Sequence, residues 1–290
     1  MIIDYFIHLI ILVGIYLIVT LSLQLILGYT GLLSFAHIAF FGIGAYTSAL
    51  LTNMGVPFLV ALLLSGVIAS LFGFFVSVIT RKLKNDYLSL GTMAFTLVIY
   101  ALMLNWMKLT RGSLGISGIT KPTIFGISFA SNISFLILVA VICIITYFVI
   151  RKIVESPFGK TLQATRDNEL ATKILGKNTN KIKSISFATS AFIAGIGGSL
   201  YAHYITYIDP SSFGMMQIIP FLCIVIIGGM ASMKGTVIAT VILTLLPEPL
   251  RFIGFPSSII GPMRQIIYAL VLLLILLYKP KGLFGKVELG

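Results

Sequence analysis

The chain has 290 residues, of which 58% are hydrophobic and 10% charged, with a formal net charge of +12. Soluble domains carry about 25% charged residues, and a mean hydropathy of +1.09 implies more apolar runs than a water-soluble core could hide, so lipid is the expected solvent. The basic residues lie at the ends of apolar runs, which fits membrane anchoring and requires no nucleic acid.

Met1–Ile10 lacks the positive stretch and small-residue cleavage site of a signal peptide, so the first apolar run is expected to be retained. Phe6–Leu27 reads as an uncharged membrane span. Gly28–Leu51 (GYTGLLSFAHIAFFGIGAYTSALL) is apolar but interrupted by four glycines, two serines and His37, and is a candidate broken or re-entrant helix. Pro57–Ile79 is a third run, closed by Arg81, Lys82 and Lys84. Tyr87–Met107 is a fourth, with Trp106 at its interfacial end. Lys108–Asn132 is a polar connection, and Ile133–Ile150 a fifth run.

The apolar pattern then stops. Arg151–Lys183 holds eight Lys or Arg against three acids, +5 of the total charge. Ser156 is a fair N-cap, Pro157 suits the first helical position and Gly176 is a natural stop, so a helix over 157–175 is expected. Asp167 and Glu169 lie within helical reach of Lys173. A structured helix in such a loop is most useful as a docking surface, although a solvated linker helix would carry the same residues.

Ser184–Ile208 is the sixth run, with the small-residue cluster Ala194–Ser199 that permits close helix approach. Asp209–Ser212 reads as a turn. Gln217–Ile227 and Thr236–Leu246 are short runs around GGMASMKG (Gly228–Gly235); Gln265–Tyr278 is the last, followed by Lys279, Lys281 and Lys286. Placing Arg81–Lys84, the island, Lys234 and the tail inside puts the N-terminus outside with nine crossings, and leaves Lys108, Arg111, Lys121, Arg251 and Arg264 outside. Because three runs are too short for an untilted span of about 20 residues, eight to ten crossings are expected, in one domain over 1–290.

Chemistry is mostly excluded. Cys143 and Cys223 lie in apolar runs and read as buried thiols; His8, His37 and His203 share no metal-ligand spacing. Asp86, Asp209 and Glu248 stand at run ends, and no carboxylate lies within the core of a run, which argues against an enzyme and against an ion-driven carrier. Backbone carbonyls can hold sodium, so a stand-alone carrier or channel stays open. There is no GxxxxGK[ST] pattern for nucleotide.

Gly28–Leu51, NDYLSLGTMAF (Asn85–Phe95), RGSLGISGI (Arg111–Ile119), SPFGKTLQATRDNELATKILG (Ser156–Gly176), AFIAGIGGSLYAHY (Ala191–Tyr204) and YKPKGLFG (Tyr278–Gly285) together resemble the branched-chain amino-acid ABC transporter permeases, in order and over nearly the whole chain. One departure is Ala231, where the family usually has Gly. The resemblance implies an all-α polytopic protein with about 8–10 transmembrane helices, some broken or short, in the plasma (inner) membrane. It implies an importer of two similar permeases, two cytoplasmic ATPases that use ATP and Mg, and an external binding protein. This chain would itself be no enzyme and bind no cofactor. The polar island would be the coupling helix seated in the ATPase, with Ser156, Pro157, Gly159, Arg166, Glu169, Ala171 and Gly176 at the matching positions. Ser34, His37, Gly42, Gly44, Tyr46, Gly228 and Gly229 are candidates for the translocation path, with plain helix packing as the competing reading. Relatives of this type also import urea or other small solutes.

Overall fold

A computed structural model describes residues 2–81, 83, 85–124, 126–251, 257–279 and 281–285. Lys82, Lys84 and Lys286 therefore lie outside the described residues, as does Pro280 of the terminal motif. The helices are α1 (Ile2–Gln24), α2 (His37–Asn53), α3 (Phe58–Thr80), α4 (Asn85–Asn105), the single turn α5 (Met107–Thr110), α6 (Asn132–Glu155), α7 (Pro157–Asp167), α8 (Glu169–Ile174), α9 (Thr179–Ile205), α10 (Ile218–Gly228), α11 (Met233–Leu245) and α12 (Ser257–Tyr278). Strands are confined to loops. β1 (Ile116–Ser117) pairs antiparallel with β4 (Tyr207–Ile208), and β2 (Thr123–Ile124) with β3 (Ile127–Ser128).

The segments containing α1, α3, α4, α6, α9 and α12 supply six helices long and apolar enough to cross a membrane. The expected eight to ten crossings are reached only by adding α2, of 17 residues, and the shorter α10 and α11. Eleven residues of α-helix rise only about 16 Å, so α10 and α11 rely on each other. They form a hairpin in which a Cβ on Gly228 would stand 2.6 Å from the Gly235 carbonyl oxygen. Contacts sort these nine helices into alternating passes. One end gathers Tyr5 with Glu248 (2.5 Å), Glu248 with Arg264 (3.0 Å), His8 with Tyr204 (2.7 Å) and His203 with the Thr120 carbonyl (2.6 Å). The other gathers the α1 end, the α10–α11 turn, and α7 and α8.

In lipid, helices gain no hydrophobic free energy by pairing, so close van der Waals approach and interhelical hydrogen bonds must hold them. The centre of that packing is α9. A Cβ on Gly44 of α2 would overlap the Gly195 backbone, and one on Gly198 the Phe41 carbonyl; on the α3 side Gly73 meets Ala191. Hydroxyl and imidazole groups rivet the same seams. Ser77 bonds Ser184 (2.8 Å), Thr30 bonds Ser186 (2.9 Å), His37 Nε2 bonds Ser190 (2.8 Å) and Ser48 bonds Ser199 (2.7 Å).

The glycine-rich second segment, expected to be a broken or re-entrant helix, is interrupted once, near its start, and not at Gly42 or Gly44. Leu25–Tyr29 is a π-helical turn ending α1, the chain is non-helical from Gly31 to Ala36, and α2 then runs unbroken through Gly42 and Gly44. These two glycines serve contact rather than a break. Gly44→Leu is therefore expected to abolish assembly, because rigid backbone blocks the new side chain. Gly42→Leu meets Met103 and the Phe213 side chain at 2.9 Å and should cost the 1–3 kcal/mol usual for overpacking, about the lower limit if Met103 yields. Yield and thermal melting in detergent separate the two; equal tolerance would mean that α2 does not pack on α9.

Candidate functional site

The polar island folds into a braced corner at the basic end. Helix α6 continues to Glu155, and Ser156 turns extended (ψ 165°), its hydroxyl accepting the Gly159 amide (3.2 Å) while Pro157 opens α7. A Cβ on Gly159 would overlap the Ile153 and Val154 carbonyls, so glycine is what lets α7 fold back so sharply. The inner face of α7 buries Leu162 against Leu25 of the π turn and Ile182 of α9.

The expected single helix over 157–175 is two. Asn168 leaves helical geometry (φ −156°, ψ 101°) and its side-chain oxygen accepts the Ala171 amide (3.0 Å), capping α8. The signal was present: Asn belongs to the same N-cap class as Ser156, and Glu169 after it suits a helix's first turn. Gly176, at φ +76°, ends α8, and Asn178 caps α9 through the Lys181 amide (3.0 Å).

Of the charged candidates, Arg166 and Glu169 both point into the protein. Arg166, with 12% of its side chain exposed, donates from Nη1 to the Gly28 carbonyl (2.7 Å) and pairs with Asp167 (2.9 Å). Gly31, at φ +70°, lies under its aliphatic stem, where a Cβ would meet Arg166 Cγ at 2.5 Å. Glu169 accepts from Lys183 (2.7 Å), Lys173 (3.0 Å) and Thr179 (3.0 Å), tying α8 to the start of α9. The anticipated Glu169–Lys173 pairing is present; Asp167 engages Arg166 instead. Exposed on α8 and just beyond it are Ala171 and three apolar residues, Leu170, Ile174 and Leu175, at 73%, 85% and 78%.

The path candidates do not converge on one cavity. Ser34 accepts the Ala36 amide (3.3 Å), His37 and Gly44 face α9, and Gly42 and Tyr46 pack on Phe213. Gly228 and Gly229 form the α10–α11 turn, with Gln24 Nε2 donating to the Gly229 carbonyl (2.9 Å). Around that turn the terminal motif closes in, Leu283 and Phe284 amides bonding the Ile227 and Gly228 carbonyls (2.8 and 3.2 Å). A separate cavity of about 350 Å³ opens toward the other end between α1, α2, α9, α10, α11 and α12. Its walls include Tyr16, Phe41, Tyr201 and Phe221, and it reaches the Glu248–Arg264 pair. Asp209, at this end, would be raised by burial, but bonds from Ser211 and Ser212 hold its carboxyl below the usual value.

Two predictions arise here. Ala231, at φ +59°, occupies the left-handed region, which costs a non-glycine residue about 1–2 kcal/mol. Ala231→Gly relieves that strain against some loss of chain entropy, so a net gain of up to about 1 kcal/mol is expected in thermal unfolding; a loss would mean that the methyl's packing dominates. Glu169 is the pH probe. Burial alone would raise its pKa, yet Lys183 and Lys173 carry it from 4.5 down to about 2. A depressed carboxylate stabilises above its unfolded pKa, so the α8–α9 brace is full above pH 4.5 and fades toward about 2. Amide exchange in α8, corrected for intrinsic rate, should rise across that window in the wild type and stay high and flat in Glu169→Gln.

Residues 5–276 match the family described as branched-chain amino acid transport system / permease component. The chain is 32% identical to the high-affinity branched-chain amino acid transport system permease protein LivM of Salmonella typhimurium, covering 93% of this chain and 67% of that one. It is 27% identical to the probable branched-chain amino acid transport permease protein LivM of Methanocaldococcus jannaschii (94% and 91%), and 24% to the high-affinity branched-chain amino acid transport system permease protein LivH of Escherichia coli (94% and 92%). No solved structure matches. With its apolar helices and a family match over most of its length, the chain is a multi-pass integral membrane protein and belongs to the branched-chain amino acid transport system permease family.

Proposed function

We propose that this chain is the permease subunit of an ATP-driven importer of branched-chain amino acids, forming the translocation path with a second, homologous permease. An external binding protein delivers the substrate, and two cytoplasmic ATPase subunits hydrolyse ATP with Mg²⁺. The chain itself supplies no catalytic group. The observation that carries the reading is the apolar tip Leu170, Ile174 and Leu175, exposed at the basic end on a helix whose charges are spent on holding it rigid. A solvated linker would have no use for three exposed large apolar side chains on so firmly braced a helix, whereas a docking element needs both.

In this reading Ser156, Pro157 and Gly159 set the corner, Asn168 and Gly176 bound the tip, and Ala171 leaves room beside Leu170. Arg166 and Glu169 transmit force inward rather than contacting the ATPase. The absence of a carboxylate deep in the expected spans fits energy arriving through this element. The aromatic-walled cavity ending at Glu248 and Arg264 suits a solute with an apolar side chain and both an ammonium and a carboxylate.

The test is reconstitution with the partner subunits. Leu170→Asp/Ile174→Asp should weaken co-purification of the ATPase at least about tenfold, since buried interface anchors are worth roughly 1–2 kcal/mol or more each. Arg166→Gln should leave docking intact while lowering substrate-stimulated hydrolysis. Uptake of radiolabelled leucine should be competed by valine and isoleucine. Unchanged docking in the double variant would end the coupling reading; competition by urea alone would reassign the substrate.

A further inference from the structure

Two adjoining hollows on the α1–α6–α11 side serve no role in transport as described above. The first is a cavity of about 710 Å³ at the basic end, lined by Arg151, Lys160, Gln163, Tyr29, Tyr147 and Lys234, with Glu155 at its rim. Three cations against one carboxylate leave it at +2, and Glu155 is engaged by Arg151 (2.8 Å). Among the described residues no carboxylate pairs with Lys160 or Lys234. The second is a slot of about 430 Å³ whose lining is apolar save for Lys234 at its mouth, built from Leu17, Cys143, Phe148, Val237 and Ile238, with Tyr147. Tyr147 and Lys234 line both, so the basic cavity and the slot meet at these two side chains.

We propose that this composite site binds one anionic glycerophospholipid, its phosphate among Lys160, Lys234 and Arg151 and an acyl chain in the slot between α6 and α11, over Leu17 of α1. Charge selects the headgroup. A zwitterionic lipid brings no net charge to a site at +2, whereas an anionic one neutralises cations that the protein leaves uncompensated. The negative surface of the cytoplasmic leaflet would supply such lipids on the side where basic loops reside. The slot selects lipid over free phosphate, because only a phosphate carrying a hydrocarbon chain fills both parts. The position of α6 agrees. Ile137, Val141, Ile144, Ile145 and Phe148 are exposed along it, so the slot opens beside a helix that meets the bilayer. Lipid here would bridge Lys160 of α7 to Lys234 of α11, joining the docking corner to the α10–α11 hairpin.

The experiment uses the full-length chain in nanodiscs of equal dioleoyl phosphatidylglycerol and dioleoyl phosphatidylcholine, with retained lipid counted by native mass spectrometry. One phosphatidylglycerol should be retained in preference to phosphatidylcholine. Lys160→Gln/Lys234→Gln should reduce that preference roughly 25-fold, at about fivefold per lysine. Val237→Trp, which fills the slot and spares the cations, should abolish retention, and millimolar inorganic phosphate should fail to displace the lipid. Equal retention of phosphatidylcholine, an unaltered preference in the lysine variant, or displacement by phosphate would overturn the proposal. So would a bismaleimide cross-link from Cys143 to a cysteine of a co-reconstituted second permease that excludes lipid, since the slot would then be a protein interface. None of these readings depends on transport activity, so the site stands or falls apart from the importer assignment.

Discussion

The structure depends on how closely other helices can approach α9. Water drives apolar surfaces together in a soluble protein; a bilayer offers no such force between its helices. What remains is contact at backbone distance and hydrogen bonds between groups that hydrocarbon would leave unsatisfied. Gly44 on Gly195, Gly73 on Ala191 and Gly198 on Phe41 provide the first, and the Ser, Thr and His pairs along the same seams the second. His37 and His203 belong to this scheme. Both are buried and hydrogen-bonded, to Ser190 and to Ser48 with the Thr120 carbonyl.

The basic end works by a different balance. Of the island's charges, those nearest the protein are consumed internally: Arg166 on a backbone carbonyl, Lys183 and Lys173 on Glu169. Such partly buried, multiply bonded groups resist salt better than surface pairs, for which screening and side-chain entropy cancel most of the attraction. The result is a rigid wedge with an apolar tip. Two positive residues outside the island find partners at the opposite end, where Arg264 meets Glu248 and Lys121 donates to the Ala130 carbonyl (2.6 Å).

Much of this was legible in the residues. The apolar runs locate every long helix, with ends within about five residues except for α12, which starts at Ser257, eight residues before its expected run, because hydropathy measures what lipid demands. Errors fall where that demand ends. Helix α9 starts at Thr179, five residues before its apolar run, since a helix may continue into water on its caps alone. The breakage at Asn168 was written in a residue type that serves equally well within a polar helix surface. Glycines posed the harder ambiguity: at Gly44 and at Gly31 the same letter means opposite things, contact in one and a left-handed turn in the other. Their partners, Gly195 and Arg166, lie over a hundred residues away, beyond any local pattern. The same distance hid the Gly28 carbonyl that Arg166 holds, although its charge partner, Asp167, is the next residue. Ala231 was the informative exception, since its departure from the family's usual glycine coincides with a left-handed backbone.

The π-helical turn at Leu25–Tyr29 alters how motion would travel through the molecule. A widened turn releases carbonyls from the regular ladder, and the one on Gly28 is held by Arg166 of α7. From that bond α1 runs as a continuous rod to Tyr5, whose hydroxyl donates to Glu248 at the far face. The wedge is thus geared to the first helix in the chain, although α6 and α9 are its neighbours in sequence. If α7 is the docking element proposed above, a push on it would bypass the loops that join it to those neighbours and reach, through α1, the ion pair beside the aromatic cavity.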